Sequence, residues 1–194
     1  NWRAVTTRRT APPRCGTWPG FATPGVLYSN DALIVLSEVA QIAENVLSDL
    51  RRQAPARHDA LLVEMADALG KVHAAGLCHG RPHPRDMFIA DESKGSDGKP
   101  GFGASLGFLD FEEELEAVMP LATAQARDTW LLFMPLVGLS ISAETPARAW
   151  TAYCAHAPGA VIAELRRIVS CFSILLPGLR ALRPIGLGRD GRAL

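Results

Sequence analysis

The sequence predicts an α+β fold that is mainly helical. Three observations carry this expectation. Two β-rich runs flank a turn-forming Asn30-Asp31 pair. Residues 58–75 repeat apolar side chains at three- and four-residue spacing, and two later stretches, 127–138 and 159–176, have helical character.

In chain order, residues 1–25 contain Arg8, Arg9, Pro12, Pro13, Pro19 and Pro24, which reads as irregular extended chain. Strands are expected at 26–29 and 32–37, with a short helical segment near 41–52. In the helix at 58–75, Leu61, Leu62, Met65, Leu69 and Val72 share one face. Pro55 precedes its start, and Gly76 stands where a C-terminal cap belongs. Pro82 and Pro84 make the middle of "LCHGRPHPRDMFIA" a loop, followed by a short strand at 87–90. Residues 91–105 read as an exposed glycine-rich turn, and "LGFLDFEE" as a short buried strand ending in acids. Val161, Leu165, Ile168, Val169, Phe172 and Leu176 form the apolar face of the last helix. The tail after Pro184 is expected to fray, and no internal repeat is visible.

Composition narrows the class. With 194 residues, 48% hydrophobic and 21% charged, the chain can build a core, which excludes wholesale disorder. A formal net charge of zero gives no global field for nucleic acid or anionic lipid. Cys15, Cys78, Cys154 and Cys171 form no CxxC pair, which points to reduced thiols and a cytoplasmic setting. The chain opens on Asn1 rather than Met, which reads as a fragment or a trimmed chain, and no secretory signal is visible. The apolar stretches at 130–141 and 168–179 fall short of the roughly 20 residues that cross a bilayer, so they read as core helices.

The order of hairpin, long amphipathic helix, histidine loop, short strand, turn and strand ending in Asp resembles the C-lobe plan of protein kinases. "VHAAGLCHGRPHPRDMFI" followed by "LGFLDFEE" resembles the catalytic and metal-binding loops of bacterial kinase-like proteins. The lipopolysaccharide (Kdo-type) kinases and aminoglycoside phosphotransferases are the families meant. The resemblance covers roughly residues 24–140 and implies a kinase-like C-lobe at 41–194 behind an N-lobe remnant and hinge at 1–40. It implies that His79 braces the loop, and that Asp86 and Asp110 hold Mg2+. Asp128 would brace the catalytic loop from the next helix, and Ser37, Glu38, Val39 and Ala40 would lie near the adenine of ATP.

Two signature positions differ. The family's catalytic aspartate is Arg81 here, and its metal-binding asparagine is Asp86. Phosphoryl transfer rests on positioning and charge neutralisation more than on covalent chemistry, and carboxylates at 86 and 110 suit magnesium. A guanidinium has no acceptor and stays protonated, so Arg81 cannot take a proton from a hydroxyl, though it can bind a phosphate. Lys71, Lys94 and Lys99 all lie too late to pair ATP phosphates as the family's strand lysine does. That part lies before Asn1 or the chain never had it.

The expected function is therefore ATP-dependent phosphotransfer to a hydroxyl of a sugar, a lipopolysaccharide precursor or a protein. The alternatives are a catalytically inactive pseudokinase serving as a binding or regulatory module, and an unrelated helical domain. No nucleic acid or transmembrane segment is expected, although peripheral contact with the inner membrane face is compatible with a lipid acceptor. Other features have plainer readings. His79 and His83 are separated by prolines that block a shared helical metal site, so His83 is expected to be exposed. "GFGASLG" precedes a strand, the reverse of a phosphate-loop context. Glu112, Glu113, Glu114 and Glu116 read as a solvated acidic run, with Glu112 available to assist a metal at Asp110. Trp130, Phe133 and Phe172 read as core aromatics.

Overall fold

The computed structural model describes residues 21–30, 32–39, 41–90, 106–110 and 115–173. The expectations for 1–20, for the turn at 91–105, for Glu112 to Glu114 and for the tail after 173 lie outside these residues. The architecture is α+β and mainly helical. The chain divides into two compact units, 1–46 with 84–112 and 47–83 with 113–194. Strands from 41–42, 87–89 and 106–108 belong to one sheet of the first unit.

The first unit holds two small sheets. Strands β1 (Val26–Ser29) and β2 (Ile34–Leu36) pair antiparallel, with Ser29 opposite Ile34 and Val26 opposite Leu36. Asn30 builds the turn between them. Its Oδ1 accepts the N–H groups of Ala32 at 2.9 Å and Leu33 at 2.8 Å, and its own N–H donates to Leu33 O at 2.9 Å. A short amide side chain bonding the backbone two and three residues on is what makes Asn a turn former.

The second sheet has the order β3 (Gln41–Ile42), β4 (Met87–Ile89), β5 (Leu106–Phe108), all antiparallel. Gln41 and Ile42 pair with Ile89 and Phe88, so the helical segment expected from 41 begins instead at Ala43, as α1 (Ala43–Gln53). Met87, Phe88, Leu106 and Phe108 are buried. Phe108 N–H donates to Ala22 O at 3.0 Å, and the Phe21 ring meets Phe108 edge-on at 6.4 Å.

The second unit is helical. Helix α2 (Pro55–Ala74) starts three residues before the expected 58, because Pro55 sits in its first turn, where a missing N–H is not needed. Leu61, Leu62, Met65, Leu69 and Val72 are all buried, each worth about 1.5–3 kcal/mol relative to exposure. Gly76, at φ 75°, ends the helix in the left-handed region. Leu77 N–H reaches Val72 O at 3.2 Å and Gly76 N–H reaches His73 O at 3.0 Å, the paired bonds of a Schellman cap.

Helix α3 (Leu121–Leu139) starts six residues before the expected 127, directly after Pro120. It is followed by α4 (Thr145–Cys154) and α5 (Gly159–Ser173). Ala126 of α3 packs with Val161 and Leu165 of α5 and with the half-buried Trp130, Trp150 and Ile168. Phe172 is not a core residue as expected: it is 44% exposed and stacks on Trp130 at 5.3 Å.

A buried carboxylate fixes the α3–α4 connection. Asp59 on α2 accepts the N–H of Ile141 at 3.1 Å, the N–H of Ser142 at 2.7 Å and the Thr145 hydroxyl at 2.7 Å. His58 Nδ1 lies 2.9 Å from its Oδ1. Burial pushes this carboxyl up, but the donors from Ser142, Thr145, His58 and Ile141 outweigh it and hold the group well below the usual carboxylate range. Among the described residues, no helix is long and apolar enough to cross a membrane.

Candidate functional site

The histidine loop of the second unit is held by its backbone. Helix α2 ends at Gly76, and the chain then runs through buried Cys78, His79 and Gly80 to exposed Arg81 and buried Pro82. The fully buried Asp128 on α3 reaches this loop. Its carboxylate accepts the N–H of His79 at 2.6 Å and the N–H of Gly80 at 3.0 Å. Arg127, its neighbour on α3, donates to Gly80 O. Gly80 has φ 101°, a backbone conformation that an L side chain rarely adopts. The His79 ring turns back on its own loop, where Nδ1 accepts the Arg81 N–H at 3.4 Å. His83 is half-buried rather than exposed, and it lies between the buried Pro82 and Pro84.

Behind this loop lies a polar network. His73 Nδ1 is 2.8 Å from the Tyr153 hydroxyl, and His73 Nε2 is 3.6 Å from Asp128 Oδ2. Thr129 Oγ1 lies 2.7 Å from the Tyr153 hydroxyl and donates to Gln125 O at 2.8 Å. Gln125 Nε2 donates to His73 O at 3.0 Å and Leu77 O at 2.8 Å, satisfying carbonyls at the end of α2. Burial pushes the Tyr153 hydroxyl up, further than its bond with Thr129 lowers it. Sequence reading missed His73, Gln125, Tyr153 and Asp59. Their partners lie tens of residues away, and no spacing pattern announces such pairs.

The acidic residues belong to the first unit. Asp86 closes a 3-10 turn (Pro84–Asp86) and is buried, with Arg85 Nε 3.5 Å from its carboxylate. Its carbonyl accepts Leu109 N–H at 2.7 Å, which extends the β4–β5 ladder by one pair beyond Met87–Phe108. Asp110, the next residue along, is exposed and takes φ 64°. An extended continuation would alternate its side chain to the other face from the 86–109 pair. The left-handed turn at Asp110 interrupts that alternation. Asp86 and Asp110 thus lie at the same end of the β4–β5 pair, Asp86 buried beside Arg85 and Asp110 exposed.

Among the described residues, no group of three or more His, Cys, Asp or Glu is placed to hold a metal ion. Magnesium commonly takes one or two carboxylates and completes its shell with phosphate oxygens and water. Ser37, Glu38 and Val39 follow β2 as irregular chain. Ser37 is tied to Gly25 by two bonds, its N–H to Gly25 O at 2.7 Å and its Oγ accepting Gly25 N–H at 2.9 Å. Glu38 is exposed, and Val39 is half-buried. No protein-family model matches the chain, and no curated protein matches it.

Proposed function

We propose that the chain is a kinase-like module that binds Mg·ATP through Asp86 and Asp110 and transfers phosphate to a hydroxyl of a sugar, a lipopolysaccharide precursor or a protein. The observation that carries the reading is the hairpin end: Asp86 O bonded to Leu109 N–H, with Asp110 turned left-handed directly after it. The same residues are those that the kinase resemblance assigns to the cation. Magnesium, when bound, supplies neutralisation of charge on the transferred phosphate. The braced loop at His79 supports the reading from the second unit, since Asp128 is the acid that the resemblance assigns to that task.

Arg81 favours a second reading, a pseudokinase that binds nucleotide without turnover. Its guanidinium accepts no proton, so the loop offers no base at that position. Thermal-shift measurements with Mg·ATP, with ATP in EDTA and with neither test the binding. A Mg-dependent stabilisation that Asp86→Ala and Asp110→Ala each abolish is expected. Transfer of label from γ-phosphate-labelled ATP to protein or to sugar acceptors then separates the enzyme from the pseudokinase. The absence of any Mg·ATP stabilisation of the native chain sinks both readings.

A further inference from the structure

We infer that His73 is a pH-responsive latch on the histidine loop, the charge of its ring deciding how firmly Asp128 holds the backbone of His79 and Gly80. All of these groups lie in the second unit, and the inference is independent of nucleotide binding. The His73 ring is fully buried. Its Nδ1 is 2.8 Å from the Tyr153 hydroxyl of α4. Its Nε2 makes no hydrogen bond to a described residue, yet it lies 3.6 Å from Asp128 Oδ2 of α3, the oxygen that accepts the His79 N–H at 2.6 Å. That separation is too long for a hydrogen bond and short enough for attraction between full charges. A neutral ring leaves Nε2 unsatisfied and the buried carboxylate without this counter-charge, whereas a protonated ring pairs with it. Asp128 and Tyr153 are the titratable groups that face the ring from α3 and α4, and the loop adds His79 at the shared oxygen. Arg127 of α3 is directed to Gly80 O. On the ring's own helix, Asp67 is held by Lys71 at 2.7 Å and by His156 at 3.0 Å.

A chain of hydrogen bonds lets the ring change charge in place. Thr129 Oγ1 stands within reach of two acceptors, Gln125 O at 2.8 Å and the Tyr153 hydroxyl at 2.7 Å, and a hydroxyl has one hydrogen to give. With His73 charged, Nδ1–H donates to Tyr153 Oη, Tyr153 donates to Thr129 Oγ1, and Thr129 donates to Gln125 O. Loss of the Nδ1 proton reverses the chain: Thr129 donates to Tyr153 Oη, Tyr153 donates to Nδ1, and Nε2 keeps its hydrogen towards Asp128. One proton leaves, and every other hydrogen retains an acceptor or its place. Histidine is the side chain whose charge ordinarily changes between about pH 5 and 8. The charged ring compensates the Asp128 carboxylate while it holds both loop amides. With that charge gone, opening of the loop, which admits water to Asp128, becomes easier.

Ring-nitrogen NMR of the full wild-type chain at about pH 5.5 and pH 8 tests the wiring. Hydrogen on both His73 nitrogens is expected at the lower pH, and on Nε2 alone at the higher, with Nδ1 accepting from Tyr153. Amide hydrogen exchange tests the latch, with each rate expressed as protection relative to an unstructured chain at the same pH. His79 and Gly80 are expected to be about tenfold better protected at the lower pH, beyond any change at Leu165 of α5. His73→Gln keeps a neutral donor near Asp128 and is expected to remove that difference; if it does not fold, the two wild-type measurements decide alone. Hydrogen on Nδ1 alone at the higher pH, or a ring in one state at both, overturns the inference. Equal protection of His79 and Gly80 at both pH values overturns it as well. So does a pH difference that survives intact in His73→Gln, which would assign the effect to another group.

Discussion

The Asp128 carboxylate accepts the N–H of His79 at 2.6 Å across 49 positions of sequence. The same group takes the N–H of Gly80 at 3.0 Å, and it is fully buried. A buried charge that satisfies two buried donors is costly to delete, because its removal strands both. Asp128→Ala is expected to lower stability by about 3 kcal/mol or more in urea denaturation. Asp128→Asn keeps an acceptor oxygen and is expected to lose about half of that. Equal stability of Asp128→Ala and wild type would show that the clamp does not organise the loop.

Asp59 sets an acid limit on stability. Its carboxyl is held well below the usual range in the folded chain and returns to about 3.9 when unfolded. A depressed folded value means the contribution is fully present above the unfolded value and is lost as pH falls below it, towards the folded one. Wild type is therefore expected to lose stability progressively below about pH 4. Asp59→Ala, with its connection to Ser142 and Thr145 gone, is expected to be weaker at pH 7 by about 2–4 kcal/mol and to show a shallower acid limb. Chemical denaturation at pH 3, 4, 5 and 7 measures both. Parallel pH profiles in the two proteins would assign the acid limb to other groups.

The fold was legible where one signal decided the outcome. Apolar spacing located α2, and Gly76 marked its end because the left-handed cap it adopts leaves no other cheap choice. The hairpin at Asn30 was visible for a similar reason, since the side chain that marks the turn also makes its bonds. Helix α4 was not placed individually, because its buried positions are Thr145, Ala149 and Tyr153, a hydroxyl, a methyl and a phenol that carry little apolar signal. Gln41 and Ile42 read as helix because a two-residue strand has no period; pairing with Ile89 and Phe88 decides it. In the candidate site, Asp86, Asp110 and Asp128 were named from resemblance, whereas the His73–Tyr153 pair depends on a contact across 80 positions that no local pattern encodes.

The Tyr153 hydroxyl should limit stability at the alkaline end. It is buried between His73 and Thr129, and burial raises it above the ordinary value of about 10. For a group raised in the folded state, the contribution is complete below the unfolded value and is lost as pH rises through the folded one. Tyr153→Phe strands His73 Nδ1 and is expected to cost about 1–2 kcal/mol at pH 7. It is also expected to remove part of the stability loss that wild type shows above about pH 10. Denaturation at pH 7, 9 and 11 checks both, and an unchanged alkaline slope in Tyr153→Phe counts against this account.

Asp110 allows strain and ligand binding to be separated in one position. At φ 64° an L residue other than Asn or Asp is held in an unfavourable conformation, whereas glycine is at ease there. Asp110→Ala is expected to cost about 1 kcal/mol, and Asp110→Gly to leave stability unchanged or slightly raised. Both remove the carboxylate, so both are expected to abolish the Mg-dependent stabilisation by ATP. Asp110→Asn keeps an oxygen donor and tolerates the turn, so it is expected to retain stability and bind Mg·ATP more weakly. The decisive protein is Asp110→Gly: a stable fold that no longer responds to Mg·ATP assigns the carboxylate to the cation. The same fold with an undiminished response would mean that the hairpin end serves only to turn the chain.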